Sequence, residues 1–478
     1  MAKILFIQQS MFPLQVIAYI SSLVKKHGHE SKAFVHSAEK DMIELIKKEN
    51  PDIIGIPFVT QERLWAFELS TEIKKNFNVP IMFGGADVTF YPEIISHKDV
   101  DLVVVGEGEF AVLEILNSIR DAGKIRTDIQ NVHIKKDGKV IKNPARDTLQ
   151  NLDILPFPDY SIYDKYPVIM RDKIKRFMLS RGCVFACTFC YNFPLKKEFG
   201  KKGALKTRRH SPKYAIDMIK DFLSRYDAEI IEFSDDCFID NKEWLKEFLP
   251  LFKREINKTF TCLIIIRYLD EEIAKMLKEA GCKMVSFGIE SGDEEYRMGV
   301  LNKPVRDTDI IKGAAILKKY KITFITYNMF NFPNETLEIA MKAVELNRKI
   351  KTDCPWSSIA QPFPKTRMLD EYMKINNLPK EYPLTEEYVK RISFHETSMI
   401  DGRDSDKIKN LHKFFYLMVK FPFLIPLIRV LIKFKPNRLY DLIFLGTFSI
   451  RYAKAYDFSL FYVIRQNLNY LKYYFKDV

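Results

Sequence analysis

The chain has 478 residues, 47% of them hydrophobic and 29% charged, with 75 Lys and Arg against 62 Asp and Glu for a net charge of +13. That length carries two or three domains with cores of their own, and most of it should fold. Seven cysteines, none before residue 183 and four of them scattered singly, exclude a disulfide framework and fit a reducing, cytoplasmic setting. Met1–Ile7 superficially resembles a signal peptide, but Gln8, Gln9 and Ser10 interrupt it, no small-residue cleavage site follows, and a first β-strand at Ile4–Ile7 accounts for it better. The pattern then predicts a helix over Leu14–Lys26, a strand at Ala33–Val35, a helix around Asp41–Glu49, a strand at Asp52–Phe58 and a helix over Arg63–Lys75. Pro80–Phe83 and Leu102–Val105 read as strands and Phe110–Ala122 as a helix. Strands alternating with helices imply an α/β fold with a doubly wound parallel sheet over residues 1–150, whose ligands bind at the carboxyl ends of the strands. Glycines fall there: Gly84 and Gly85 follow one strand, and Gly106-Glu107-Gly108-Glu109 follows another.

Residues 151–170, with Pro156, Pro158 and Pro167 among aromatics, read as an ordered linker. A second βα series over 171–375 predicts strands at Phe177–Ser180, Glu229–Phe233, Thr261–Ile266, Met284–Gly288, Thr323–Met329 and Ser357–Ala360. Helices are predicted over Ala215–Arg225, Lys242–Phe252, Glu271–Ala280 and Ile310–Lys319. Six such units make a partial barrel with its chemistry at the carboxyl ends. Just after the first strand stand Cys183, Cys187 and Cys190, spaced C-x3-C-x2-C with no fourth cysteine nearby. Three thiolates hold three irons of a [4Fe–4S] cluster and leave the fourth iron open to a small molecule. A structural zinc site wants four protein ligands, and inert or disulfide-bonded thiols are the remaining bland reading. The other strand ends carry Ser234-Asp235-Asp236, Arg267, Glu290-Ser291-Gly292, Thr326-Tyr327-Asn328 and Gln361. Together these could grip a zwitterion bearing a ribose, the Arg taking a carboxylate and the carboxylates an ammonium and hydroxyls.

The cysteine loop, Asp235-Asp236, Phe287-Gly288-Ile289-Glu290-Ser291-Gly292 and Lys303 resemble the radical S-adenosylmethionine (SAM) superfamily. Residues 1–150 resemble the cobalamin-binding domain that precedes the radical domain in its largest subfamily, through Gly84, Gly85, Thr89, Pro92-Glu93, Asp101 and Gly106-Glu107-Gly108-Glu109. The resemblance spans about residues 1–375. It implies a Rossmann-like sheet followed by a partial (β/α)6 barrel. The cofactors it implies are a [4Fe–4S] cluster, SAM and cobalamin. It further implies that SAM chelates the open iron and is cleaved to a 5′-deoxyadenosyl radical, which takes hydrogen from an unactivated carbon, and that cobalamin supplies a methyl group in methylating members. The site residues it points to are Phe189 and Tyr191 near the cluster and adenine, Ser234, Asp235, Arg267, Glu290 and Ser291 around SAM, and Gly84, Gly85, Asp87, Thr89, Gly106, Glu107, Gly108 and Glu109 around cobalamin. A reductant such as flavodoxin or ferredoxin, and low oxygen, complete the expectation. The alternatives are a radical SAM cyclase or other non-methylating enzyme, a methylthiotransferase, and an iron–sulfur electron carrier or sensor. Methylthiotransferases resemble chains with three cysteines in the N-terminal domain, where this chain has none.

The chain also departs from the family pattern. Ala86-Asp87-Val88 stands where relatives often place His, and no D-x-H-x-x-G occurs, so no imidazole is expected to ligate cobalt from below. Gln15 replaces a small residue, and Phe332-Pro333-Asn334-Glu335-Thr336 and Pro364-Lys365-Thr366 replace L-P-G-E-T and P-G-T. Residues 376–478 form a helical C-terminal region with predicted helices over Lys409–Phe434 and Leu439–Val478, broken at Pro436. Within it, residues 401–478 concentrate 14 Lys and Arg against 6 Asp and Glu, and 18 aromatics. No stretch approaches the roughly twenty apolar residues of a membrane span. A helical cap over the barrel is one reading. The other is a basic amphipathic surface peripheral to the inner face of the membrane that admits a lipid or other hydrophobic substrate. Nucleic acid is the least favoured partner.

Overall fold

The computed structural model describes residues 1–199, 206–392 and 399–466. Its first part runs β1 (Lys3–Gln8), α1 (Gln15–Lys26), β2 (Glu30–Val35), α2 (Met42–Glu49), β3 (Ile53–Pro57), α3 (Arg63–Asn76), β4 (Ile81–Gly84), α4 (Ala86–Phe90), β5 (Leu102–Val104), α5 (Glu109–Ala122), β6 (Val132–Lys136) and β7 (Lys139–Lys142). The sheet order is β2-β1-β3-β4-β5-β6-β7, with β1 to β5 parallel. Strands such as Ile53–Pro57 are buried along nearly their whole length because helices cover both faces. The antiparallel β6 and β7 extend the sheet beyond the expected parallel core. Asp137 and Gly138, at φ of 49° and 73°, make the turn between them. Asp-Gly between alternating residues is a strong hairpin signal, and it was legible in the sequence.

The second part runs α6 (Pro167–Met170), β8 (Ile174–Phe177), β9 (Ser180–Arg181), α7 (Asn192–Phe199), β10 (Arg208–Arg209), α8 (Pro212–Leu223), β11 (Ile230–Phe233), α9 (Lys242–Glu255), β12 (Thr259–Leu263), α10 (Glu271–Ala280), β13 (Cys282–Glu290), α11 (Asp307–Lys319), β14 (Thr323–Phe330), α12 (Leu337–Lys349) and β15 (Cys354–Ile359). Six strands pair in parallel in the order β15-β14-β13-β12-β11-β8, the sequential order of an open barrel. The first barrel strand lies earlier than the sequence predicts. Lys175 and Arg176 disguise it: the Lys175 ammonium donates to the Met170 carbonyl (2.7 Å), and Arg176 pairs with Glu232 (3.0 Å). After Phe177 the chain leaves the sheet, and Ser180–Arg181 pairs instead with Arg208–Arg209.

The linker is packed against both sheets. Tyr163 donates to Gln8 (2.7 Å), Tyr166 donates to Glu39 (2.6 Å), Asp159 accepts from Ser21 and Lys25, and the Leu155 carbonyl accepts from Tyr214 (2.8 Å). One continuous buried cluster runs from Ile4 and Val104 to Phe177, Phe233 and Phe287, so the two sheets share a core.

The chain closes with α13 (Arg367–Ile375), α14 (Glu386–Arg391), α15 (Ser405–Lys420), α16 (Ile425–Leu431) and α17 (Arg438–Tyr456). The predicted helix over Lys409–Phe434 is interrupted at Phe421, because Pro422 cannot continue the hydrogen-bond ladder. In place of one helix to Val478, α17 stops at Tyr456, with Asp457 in the left-handed region, and 467–478 lies outside the described residues. α15 packs on α12 and β15, which places it against the barrel, and both α16 and α17 pack on α15. No described helix is long and apolar enough to cross a membrane.

Candidate active site at the facing carboxyl ends

The cysteine loop leaves β9 through Gly182, whose φ of 95° is readily adopted by glycine. Its outer side is pinned by the segment before Lys303. Thr188 donates its backbone N–H to the Leu301 carbonyl (3.0 Å) and its hydroxyl to the Val300 carbonyl (3.1 Å), and Asn302 donates to the Ala186 carbonyl (2.8 Å). Lys196 on α7 donates to the Phe185 carbonyl (2.9 Å). Burial raises all three thiols, Cys187 to about 12 and Cys190 to about 11. Iron would reverse this, since a coordinated thiol is held as thiolate. Among the described residues no three His, Cys, Asp or Glu side chains converge to hold a single metal ion. A structural zinc site wants four protein ligands, whereas this loop offers three thiols, a donor set that fits a cluster with one open iron.

Beside this loop, β13 ends in Glu290 at φ 63°. Its carboxylate takes the buried Lys303 ammonium at 2.7 Å. Burial opposes the Lys303 charge, but Glu290 and then Cys187 outweigh it and hold its pKa above the usual lysine value. Gly288 makes the pair possible: a Cβ there would lie 2.0 Å from Glu290 Oε1 and 2.5 Å from Lys303 Nζ. Ser291 is buried and turns inward, its hydroxyl accepting from the Asp293 N–H (3.3 Å) and its carbonyl from the buried Arg297 (2.8 Å).

Opposite, the first sheet presents glycine and threonine. Gly85, at φ 100°, has no room for a side chain, since a Cβ would meet the Phe58 carbonyl oxygen at 2.3 Å. Thr89 ties the two glycine turns together, donating to the Gly85 carbonyl (2.8 Å) and accepting from the Gly106 N–H (3.1 Å). Between the two rims lies a cavity of about 460 Å³, lined from one side by Gly85, Thr89, Gly106 and Gly108 and from the other by Gly182, Tyr191, Asn192, Lys196 and Asp236. Such a volume is in the range of small-molecule sites, and the glycine rim fits close approach of a large planar group. The rims are locked together by Arg181, which reaches Glu107 (3.0 Å) and Glu109 (2.5 Å), and by Arg208 on Glu107 (2.8 Å).

Of the residues singled out from sequence, Gly85, Thr89, Gly106, Glu107, Gly108, Glu109 and Tyr191 line this cavity. Gly84 precedes it with open space around its Cα. Asp87 does not face it. That carboxylate is fully buried, accepting from Arg63 Nε (2.6 Å), Arg63 Nη2 (2.7 Å) and Thr60 (2.7 Å), because a buried Arg must be matched. Asp235 is likewise buried under the loop, accepting from the Ser180 hydroxyl and lying 3.7 Å from Arg209, whereas its neighbour Asp236 reaches the cavity and accepts from Asn192 (3.0 Å). Burial raises the Asp236 carboxyl above its ordinary value. Ser234 turns to Glu232 (3.4 Å), Phe189 packs on Phe332 with ring centroids 5.8 Å apart, and the exposed Arg267 donates to the Pro304 carbonyl (3.0 Å). None of these three lines the cavity.

Sequence reading missed a hydrogen-bonded chain in the cavity wall. His210 places Nδ1 2.9 Å from Asp153 and Nε2 2.9 Å from the Tyr19 hydroxyl. Burial pulls the imidazole down to about 4, so it is neutral near pH 7. The neutral tautomer that satisfies both contacts donates from Nδ1 to Asp153 and accepts at Nε2 from Tyr19. These residues are 57 and 191 positions apart, and no local pattern links them.

Residues 177–346 match the radical SAM superfamily and residues 11–116 match the B12 binding domain. The chain is 32% identical over 374 residues to an uncharacterized methyltransferase, PH0819, of Pyrococcus horikoshii, covering 76% of this chain and 78% of that protein. It is 26% identical over 385 residues to the anaerobic magnesium-protoporphyrin IX monomethyl ester cyclase of Rubrivivax gelatinosus, covering 75% of this chain and 66% of that one. Among solved structures, the cobalamin-dependent SAM radical enzyme OxsB with aqua-cobalamin and SAM bound shares the fold at a TM-score of 0.67 and 14% identity, over 95% of this chain and 72% of that one. With the three-cysteine loop facing a glycine-edged sheet across one cavity, these matches place the chain in the radical SAM superfamily, as a cobalamin-dependent enzyme carrying a B12-binding domain.

Proposed function

We propose that the protein methylates an unactivated carbon of a hydrophobic or small-molecule acceptor. The observation that carries this is the shared cavity, in which the glycine rim of β4 and β5 faces the side chains that follow the cysteine loop. In this reading Cys183, Cys187 and Cys190 hold the cluster, Glu290 with Lys303 and Asp236 stand near SAM, and Gly85, Thr89, Gly106 and Gly108 form the floor under cobalamin. The functional division is 1–150 for cobalamin, 151–170 as linker, 171–375 for radical chemistry and 376–478 as a C-terminal cap. When bound, the cluster with SAM supplies one-electron and radical chemistry, and cobalamin carries a methyl group. The residues of the chain orient these groups and exclude water: Arg181 and Arg208 close the seam between the rims, and the neutral His210 fixes the Tyr19 hydroxyl at the wall.

A reductant of the flavodoxin or ferredoxin kind and an oxygen-poor cytoplasm belong to the same reading. So does peripheral attachment to the inner face of the membrane, which the exposed apolar and basic C-terminal segment supports and which makes a lipid or similar molecule the acceptor. Ring closure without methyl transfer is the second reading, favoured by the similarity to the Rubrivivax cyclase. Anaerobic protein reconstituted with iron, sulfide and hydroxocobalamin would be given methyl-labelled SAM, a chemical reductant and cell extract. Label in an extracted product supports methylation. Cleavage of SAM with an unlabelled, cyclised product would replace it with the second reading.

A further inference from the structure

α17 is arranged inside out for a helix that faces water. It turns Tyr440, Phe444, Thr447 and Arg451 inward. The Arg451 guanidinium is 1% exposed, 5.2 Å from the Trp356 ring centroid and 5.1 Å from that of Phe444, and it donates to the Pro355 carbonyl (3.3 Å). On the outer side, Leu439, Leu442 and Leu445, spaced i, i+3, i+6, are 63%, 65% and 58% exposed. A helix exposed to water ordinarily buries its leucines and turns its arginine outward. α16 packs on the same helix, α15, and exposes Leu427 and Val430, with Phe423 and Phe434 exposed on either side of it. From Phe421 to Tyr440 there is no Asp or Glu, and Arg429, Lys433, Lys435 and Arg438 are all exposed.

We propose that this outer face of α16 and α17 docks on an anionic lipid bilayer. The proposal rests on the reading of a hydrophobic acceptor and specifies the partner and the residues that meet it. Leucine and phenylalanine side chains would sink to the boundary between headgroups and acyl chains, and the four cations would stay among the phosphates. Charge decides between this occupant and a second copy of the chain, because two such faces brought together would oppose four exposed cations to four, and the one acid within α16 and α17, Asp441, is already paired with Lys413 (2.5 Å).

The test uses the full-length, cobalamin-loaded protein, floated with vesicles of phosphatidylcholine alone and of phosphatidylcholine with phosphatidylglycerol. Binding should need the anionic lipid and weaken as salt rises. Each basic side chain near such a surface contributes about 1 kcal/mol, so Lys433→Gln with Lys435→Gln should weaken binding on the order of 25-fold. Leu439→Ser with Leu442→Ser should weaken it further, with cobalamin retention unchanged to show that the fold is intact. No flotation at low salt, flotation indifferent to both pairs of substitutions, or a stable dimer on gel filtration that the leucine substitutions dissolve would each overturn the proposal. Methyl transfer measured in detergent solution reports separately on the reaction, so loss of docking with transfer intact refutes the docking alone.

Discussion

At the carboxyl ends of β4 and β5 the chain has removed side chains, whereas after β9, β11 and β13 it has added buried or half-buried ionisable ones. Gly85 and Gly106 occupy backbone conformations with φ of 100° and 80°, and Thr89 spends its hydroxyl on tying their turns together. The facing rim carries Asp236, and behind it, not lining the cavity, stand the three thiols of the loop and the buried Glu290–Lys303 pair. The difference is the one expected if each side holds what is proposed for it. A bulky, largely neutral ring system needs space and close backbone approach, while a charged cluster and a zwitterion need fixed charges in a dry setting. One rim should therefore be sensitive to added atoms and the other to lost charges.

The sharpest break is at the thiols. Replacing any of Cys183, Cys187 or Cys190 by Ala should abolish release of 5′-deoxyadenosine and lower iron, while cobalamin absorbance stays with the protein. Loss of both cofactors together would show that the rims are not independent.

The charged rim should answer next. Lys303→Met leaves Glu290 buried without its cation, a loss of about 3–5 kcal/mol, and adding Glu290→Gln should recover part of it. Denaturant unfolding of the single and double variants measures this. Equal stability of both would mean that the pair is not coupled.

On the opposite rim two adjacent glycines give an internal control. Gly85→Ala forces a side chain into a left-handed conformation, costing about 1–3 kcal/mol before its contact with the Phe58 carbonyl is counted. Gly84→Ala meets open space and should cost under about 1 kcal/mol. Equilibrium dialysis against hydroxocobalamin should show the first weakened and the second near the parent protein.

The last effect appears only at acid pH, at the His210 chain in the cavity wall. The His210 imidazole has a folded pKa of about 4 against an ordinary 6.5, so the folded state binds fewer protons than the unfolded state in that interval. Its contribution is complete above pH 6.5 and is lost as pH falls toward 4, to a ceiling of roughly 3 kcal/mol. His210→Gln should flatten the fall in unfolding midpoint over that range. An unchanged slope would assign the pH dependence to other groups.

Much of this was legible along the chain. Alternating apolar runs and amphipathic stretches give both parallel sheets, and the cysteine spacing gives an open-site cluster, because strand burial and metal ligation are written in short intervals. The β6–β7 hairpin carried its own Asp-Gly signal at Asp137-Gly138. The Lys175-Arg176 strand hid its burial behind charges that find partners in distant parts of the chain.

What local sequence determined about this protein is therefore the order of its elements and the three-cysteine spacing on which the proposed cluster site rests. Tertiary structure decided which carboxylate of a pair serves the cavity: Asp236 reaches it while Asp235 and Asp87 are consumed under Ser180 and Arg63. It also decided that His210 meets Tyr19 across 191 positions and that α17 buries Arg451 while exposing its leucines. The physical reason is the same in each case. A buried charge or polar group must be matched wherever its partner lies, and only the packing of distant segments says where that is.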